Sequence, residues 1–271
     1  TSEKVKTIEL NHEITFWRWL DLNTLGLVTP TSVLTLSIAN KEEGAKKIFD
    51  KTGNMAQNNV FIMNLVADDK KVWYALSGVS KDNSGATVGY VQLFNVQAGQ
   101  TQVIEGFCGN FGQMKVYNAD ERSTIFSFIE KKSGSNKFVL HLSDVYGSGQ
   151  TKFKVSNEVP INQDGDFPVT LNFLENYGLA FITTSQAKMY VYEVSKAALI
   201  FLCKASSDTI FFSAKNTKTG GILYINKNGS LLQANVESQN LIPYIMSECK
   251  NLDNVVEICT SLAQKYNLPG A

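Results

Sequence analysis

Short apolar runs rich in β-branched and aromatic residues recur through the first 236 residues and predict β-strands. Gly, Ser, Asn, Thr and Pro lie between the runs and supply turns. The runs fall into five groups, whose first strands begin near residues 14, 60, 112, 167 and 209. Groups of three or four strands at this spacing are typical of β-propeller blades. A β-sandwich uses similar strands but does not need five successive groups of near-equal length.

The pattern changes after Val236, where strand alternation ends. Apolar residues then recur at steps of three and four and predict an amphipathic helix. These residues are Leu252, Val255, Val256, Cys259, Leu262 and Tyr266. Ser238 suits a helix N-cap, and Pro269-Gly270 suits a stop. We therefore predict an all-β propeller over residues 1–236, followed at 237–271 by short α-helices that begin an α-solenoid.

The aromatic-rich run at residues 14–20 is interpreted as a blade strand whose aromatic side chains fill the space between neighbouring sheets. Trp17 and Trp19 also suit peptide stacking. Because alternate residues of a strand point to opposite faces, we expect at least one of these two tryptophans to be structural.

Composition narrows the function classes. The chain has 271 residues, of which 44% are hydrophobic and 18% charged, and its 25 basic and 25 acidic residues cancel. This balance gives no bulk attraction to nucleic acid or to an anionic membrane. The four cysteines form no CxxC pair, and only two histidines are present. We therefore expect free thiols, as in a cytosolic protein, with no metal site and no cofactor.

Candidate catalytic residues are few. His12 precedes Glu13, and His141 lies near Asp144, but neither has a nucleophile or metal ligand at a recognised spacing. The Asp164–Asp166 segment lacks the further oxygen ligands of a calcium loop. Enzymes with propeller folds present carboxylates clustered at one rim, whereas acidic residues are scattered here. We expect no enzymatic activity.

A set of phrases along the chain carries a family resemblance. In sequence order they are ITFWRWL, TLGLVT, IEG, STIFSF, DGDFPVTLNFLENYGLAFITT, YVYEV, GILYINKNGSLL, NLIPYI and NLPGA. In this order and at these distances they resemble the N-terminal domain of the clathrin heavy chain. The resemblance implies a seven-bladed propeller followed by a zigzag of short helices, with about five blades present here and roughly the first two missing.

The resemblance also implies a function. The chain would belong to a vesicle-coat structural protein whose terminal domain binds short linear motifs of adaptor proteins in clathrin-mediated endocytosis and intracellular trafficking. It would act in the cytoplasm, on the cytoplasmic face of coated pits and vesicles, and contact the membrane only through adaptors. Clathrin light chain and other heavy chains would be partners through the leg. No nucleic acid is implied.

The resemblance implies three peptide-binding sites, each of which maps to residues of this sequence. Lys4 matches a basic residue of the groove between the family's first two blades. Leu93, Gln102 and Ile104 match the apolar wall and polar contact of the groove between its fourth and fifth blades, where Ala98 replaces an Arg. The top-surface site maps to Phe61, Met63 and Val79, with Phe61 in place of a Gln. Leu93, Ile104, Met63 and Val79 also suit core positions of any propeller.

One alternative stays open. A propeller followed by a helical solenoid also suits a scaffold of another membrane-coat or pore assembly, without peptide-motif binding. Binding of short peptides would separate the two functions, because a pure scaffold contacts folded partners only.

Overall fold

In the part of the chain that the structure describes, five antiparallel sheets, each a propeller blade, are followed by two helices. The computed structural model describes residues 9–39, 44–135, 137–146, 153–162, 164–216 and 218–270. Four blades have four strands in sequential order, and the fifth has three. The all-β propeller is confirmed with five blades. A ring of seven is not confirmed.

The strands of the first three blades have the following bounds. Blade 1 contains β1 (Phe16–Trp19), β2 (Thr24–Val28), β3 (Ser32–Ser37) and β4 (Lys46–Asp50). Blade 2 contains β5 (Phe61–Ala67), β6 (Trp73–Lys81), β7 (Thr87–Asn95) and β8 (Gln100–Glu105). Blade 3 contains β9 (Phe107–Met114), β10 (Ser123–Lys131), β11 (Phe138–Asp144) and β12 (Lys154–Val159).

The remaining elements complete the chain. Blade 4 contains β13 (Pro168–Leu174), β14 (Leu179–Thr184), β15 (Lys188–Glu193) and β16 (Ala198–Lys204). Blade 5 contains β17 (Ile210–Asn216), β18 (Gly221–Asn226) and β19 (Leu231–Ala234). The helices are α1 (Ser238–Glu248) and α2 (Val255–Tyr266).

The third blade begins earlier than its sequence pattern predicts. Its first strand, β9, starts at Phe107 and not near residue 112, because the sequence FCGNFG combines apolar residues with Gly and Asn. A Cβ at Gly112 would lie 2.5 Å from the Cδ2 atom of Phe173 in blade 4. The glycine therefore permits close approach of two sheets, and its presence does not mark a strand boundary.

The chain divides into two compact units. The first contains Thr1–Ser80 and Tyr90–Ile104, and the second contains Lys81–Gly89 and Glu105–Ala271. In the first unit, a core forms from Val28, Val33, Phe49, Met55, Leu65, Tyr74 and Leu76. In the second unit, apolar residues of blades 4 and 5 share a core with both helices. The helices are thus part of a packed unit.

Polar side chains connect the innermost strands of successive blades. In the first unit, Arg18 Nη1 donates to Asn64 Oδ1 at 2.5 Å. In the second, Asn172 Nδ2 of blade 4 donates to Ser213 Oγ of blade 5 at 2.7 Å. Asn172 and Ser213 are buried, so this bond also satisfies groups removed from water.

The helical segment begins close to its predicted position. Ser238 is the first residue of α1, and the N-cap is Glu237, so the prediction of Ser238 as N-cap is wrong by one residue. Helix α2 ends where Asn267 adopts φ 53°, just before the predicted stop. Leu262 and Cys259 are buried as predicted, but Val256 is exposed. One residue of the predicted apolar face therefore points to solvent.

Candidate functional site

Leu93, Gln102 and Ile104 share one face of the outer strands of blade 2. The side chain of Gln92 points towards blade 1, because its Nε2 donates to Asp50 O at 2.8 Å. The same Nε2 donates to Thr101 Oγ1 on β8 at 3.0 Å, so Gln92 and Thr101 share this face. Side chains alternate along a strand, so the neighbours of Gln92 and Thr101 point the other way. The structure thus brings the three predicted residues together on the face that turns away from blade 1.

The three residues differ in accessibility. Leu93 is only 9% exposed, Ile104 is half-buried, and Gln102 is exposed on β8. Strand β8 is the outer edge of its sheet, so one row of its backbone N–H and C=O groups is not used by that sheet. Ile104 and Gln102 are therefore the residues through which this face can contact a ligand, whereas Leu93 is buried on the neighbouring strand β7.

Ala98 lies in the turn between β7 and β8. It is exposed, and its backbone N–H donates to Asn95 Oδ1 at 2.9 Å. A methyl group stands where the family resemblance implies a guanidinium. The turn therefore keeps its backbone hydrogen bond but supplies no positive charge.

The second predicted set lies on β5 and β6 of blade 2. Phe61 pairs directly with Val79 across the two strands, and 75% of Phe61 is exposed. Met63 lies at a β-bulge between Ile62 and Asn64 and is half-buried. The structure brings Phe61 and Val79 together, while the bulge re-aims Met63. This set is separate from the first, because β5 and β8 lie at opposite ends of the sheet order.

Lys4, the third predicted position, lies outside the described residues.

The two tryptophans of β1 differ from their prediction. Trp17 is 61% exposed and Trp19 is 48% exposed, so neither fills a closed space between sheets. Residues two apart on a strand point to the same face, and the burial of β1 alternates accordingly. The expectation that at least one tryptophan is structural was wrong. Instead Arg18, between them, points towards blade 2, and burial lowers the pKa of its guanidinium.

The candidate catalytic residues have structural contacts. His141 Nε2 lies 2.8 Å from Glu130 Oε2, and its ring stacks on Phe128 with centroids 4.9 Å apart. Hydrogen bonding from Lys132, with His141 next, lowers the pKa of Glu130. Within the part of the chain that the structure describes, no three His, Cys, Asp or Glu residues group to hold a metal ion.

The acidic segment that resembles a calcium loop has a different role. The buried Asp166 carboxylate accepts hydrogen bonds from Thr184 Oγ1 at 2.8 Å and from Ser185 Oγ at 2.9 Å. It also accepts bonds from the backbone N–H groups of Phe167 and Gln186, both at 3.0 Å. These four donors connect the start of blade 4 to its second hairpin. Asp166 therefore fixes a turn.

Sequence reasoning missed one apolar cavity in the second unit. It has a volume of about 230 Å³ and lies between the outer part of blade 4, the segment after β19 and helix α1. Phe201 and Tyr244 meet edge to face beside it, with ring centroids 5.9 Å apart. The change from strand to helix after Val236 was the available signal, but it does not reveal which side chains leave space between them.

The described helices are too short or too polar to cross a bilayer.

Comparison with known proteins finds clathrin heavy chains among the relatives of this chain. No family model matches the chain. The chain is 31% identical over 277 residues to clathrin heavy chain 2 of Oryza sativa subsp. japonica, and 32% identical over 273 residues to the probable clathrin heavy chain 1 of Caenorhabditis elegans. Each alignment covers 99% of this chain and 16% of the relative. The chain therefore spans about a sixth of the length of these relatives.

A solved structure supports the fold alone. The Cps50 (Swd1) β-propeller domain of Myceliophteria thermophila aligns with a TM-score of 0.52 and 13% identity, covering 86% of this chain and 68% of that chain. The resemblance predicted from the ordered phrases is confirmed: over nearly all of its length the chain is similar to clathrin heavy chains, of which it matches one segment.

Proposed function

We propose that the chain is part of a non-enzymatic structural protein of a clathrin coat. The similarity over 99% of the chain supports this role. The protein acts in the cytoplasm, at coated pits and vesicles, where it contacts the membrane through adaptors. Other heavy chains and light chains assemble with the remainder of the protein. The division into a propeller at 1–236 and the start of a helical solenoid at 237–271 is part of this proposal.

The more specific role that we propose is binding of short linear motifs of adaptor proteins. The observation that carries it is the face formed by Leu93, Gln102 and Ile104 at the edge strand β8. Edge strands accept extended peptides by adding a strand, and apolar side chains beside them give specificity. The exposed Phe61 and its half-buried cross-strand neighbour Val79 form a second apolar contact surface on the same blade.

Each contact of this kind is small and therefore weak. Many copies in one coat compensate, because linked weak sites gain avidity through their effective concentration. Motif binding by a coat subunit thus needs only micromolar affinity per site.

Fluorescence polarisation tests the proposal. Labelled clathrin-box-type and arrestin-box-type peptides are titrated with the 271-residue chain and with Ile104→Ser. We expect saturable micromolar binding of the arrestin-box-type peptide and a loss of about tenfold or more in the variant, because it removes an apolar contact.

Leu231→Ser is the matched control. Leu231 is 65% exposed on the edge strand β19 of blade 5, so the change removes an aliphatic side chain from a comparable position. Binding must survive in this variant. If a folded chain binds neither peptide, the motif-binding role is wrong and a coat or pore scaffold without peptide binding becomes the better account.

A further inference from the structure

The last turn of helix α2 is bonded to blade 3. Lys265 Nζ donates a hydrogen bond to Val116 O at 2.9 Å, and the backbone N–H of Lys115 donates to the Tyr266 hydroxyl at 3.1 Å. Lys115 and Val116 directly follow Met114, the last residue of β9. Two neighbouring residues of α2 thus hold the backbone at the end of a blade 3 strand.

The same helix is seated on blade 4. The ring of Tyr266 covers Gly178 in the turn between β13 and β14. Ile258, Cys259 and Leu262 of α2 belong to a buried apolar core that also contains residues of β13 to β16. Helix α2 therefore contacts two successive blades, with polar bonds on blade 3 and an apolar core on blade 4.

The Lys265 ammonium is also near a carboxylate of blade 4. Glu193, the last residue of β15, is only 2% exposed, and it accepts bonds from the backbone N–H groups of Ser195 at 2.8 Å and Lys196 at 3.0 Å. Burial lowers the pKa of Lys265, the negative charge of Glu193 raises it, and Lys196 lowers it. Lys196 itself pairs with Glu257 Oε1 of α2 at 2.7 Å. One lysine of α2 thus interacts with both blades.

Blades 3 and 4 also meet at their inner strands. Asn110 Nδ2 of β9 donates to Leu171 O of β13 at 2.5 Å, and the backbone N–H of Gln113 donates to Glu175 Oε1 at 3.1 Å. Helix α2 adds an attachment at the turns that follow β9 and β13. Separation of the two blades would break its bonds on blade 3 or expose its core on blade 4.

We propose that α2 is a strap across blades 3 and 4, fastened by Lys265 and Tyr266, and that these two blades open together with the helical segment. The inference goes beyond the proposed function and holds whether or not the chain binds peptides. It makes the boundary after Val236 a change of secondary structure and not a flexible joint. In a coat, a force on the helical segment would be carried by two blades.

Native-state hydrogen exchange of the unmodified 271-residue chain tests the strap. The exchange is followed by mass spectrometry in increasing urea, below the unfolding transition, where amides of one cooperative unit converge on one opening free energy. We expect the amides of α2 and of β9 to open together. If α2 opens at lower urea than β9, the proposal is wrong, because the helix is then a separate unit seated on blade 4.

Two substitutions locate the fastening. Lys265→Met keeps the aliphatic stem and removes the ammonium, while Tyr266→Phe removes the hydroxyl and keeps the ring over Gly178. In the double variant, the amides of β9 and of the turn after it should exchange at least about tenfold faster, whereas those of β18 and β19 should change less than about twofold. Lys250→Met is the matched control, because Lys250 is exposed in the connection between the helices.

The control variant should leave exchange unchanged in every strand. Unchanged exchange of β9 in the double variant would show that Lys265 and Tyr266 do not hold blade 3. An equal rise in every blade would show a loss of global stability without a local strap, and it would overturn the proposal as well. If the double variant does not fold, the urea series on the unmodified chain decides between the two outcomes.

Discussion

The ring of Tyr266 lies directly over Gly178. A Cβ added to Gly178 would come within 2.6 Å of the Tyr266 Cε2 atom, and Gly178 has φ +65°, a conformation that favours glycine. Tyr266 is the last residue of α2, and Gly178 lies in the first turn of blade 4. Contact between these two residues therefore fixes the end of the helical segment on the propeller blade.

Gly178→Ala should destabilise the second unit by about 2–4 kcal/mol, because the left-handed backbone and the steric clash both oppose it. Thermal unfolding followed by circular dichroism measures the loss. Gly229→Ala is the matched control, since Gly229 has φ +79° but nothing within 4 Å of its added Cβ. Equal losses in the two variants would show that the contact with Tyr266 contributes nothing.

The hydroxyl of Tyr266 makes a second, pH-sensitive contact. It accepts a hydrogen bond from the backbone N–H of Lys115 at 3.1 Å, and burial raises its pKa to about 12. The unfolded chain loses this proton near pH 10, and the folded chain keeps it longer. Stability should therefore be constant below pH 10 and fall between pH 10 and 12, at about 1 kcal/mol per pH unit from this group.

Melting temperatures of the wild type and of Tyr266→Phe between pH 8 and about 11 test this prediction. Tyr266→Phe should cost about 1 kcal/mol at pH 8, where the hydrogen bond is lost, and should reduce the alkaline slope. Tyr90→Phe controls for the loss of a tyrosine hydroxyl outside this contact. An unchanged slope in Tyr266→Phe would contradict the assignment.

The inner strands were predictable because their apolar pattern reflects burial on both faces. Strand β14, with every residue buried, was found as an apolar run. The outer strands β4, β8 and β12 were missed. Their sequences, KKIFD, QTQVIE and KVSNEV, are largely polar because an outer strand borders solvent. Strand pairing across the sheet decides their structure, and that interaction is not local in sequence.

The candidate site was only partly predictable for the same reason. Side chains alternate between the two faces of a strand, so the sequence places Phe61 and Met63 on the same face. The bulge in β5 changes which residues share a face. In β1 the pattern itself was informative, because Trp17 and Trp19 are two residues apart. That spacing places both on one face, contrary to the expectation of opposite faces, and the exposure of that face required the structure.

The buried bond between Asn172 and Ser213 should contribute to the packing of blade 5 on blade 4. Asn172→Leu removes the hydrogen bond from Asn172 Nδ2 to the Ser213 hydroxyl and should cost about 1–3 kcal/mol in the free energy of unfolding. The double variant with Ser213→Ala should recover part of that loss, because neither polar group then remains buried. Chemical denaturation of the two single variants and the double variant gives the coupling energy. Strict additivity would show that the two side chains act independently.

Phe61 and Leu65 provide a test that separates surface from core on one strand. Phe61 pairs with Val79, and Leu65 pairs with Leu76, so the bulge between them turns the two side chains to opposite faces. Leu65 is fully buried, whereas Phe61 is exposed. Phe61→Ser should change stability by less than about 0.5 kcal/mol, while Leu65→Ser should cost about 3 kcal/mol or more. Chemical denaturation of both variants provides these values.

The effect of Phe61→Ser on peptide binding should be larger than its effect on stability. If Phe61 and Val79 form a peptide contact, Phe61→Ser should weaken an apolar peptide several-fold in a fully folded chain. Val79→Ser should do the same, because the two side chains are direct cross-strand neighbours. A fall in stability on Phe61→Ser comparable with that of Leu65→Ser would show that Phe61 is a core residue. Unchanged peptide binding in a stable Phe61→Ser variant would remove this surface from the proposed function and leave the face of Leu93, Gln102 and Ile104 as the proposed site on blade 2.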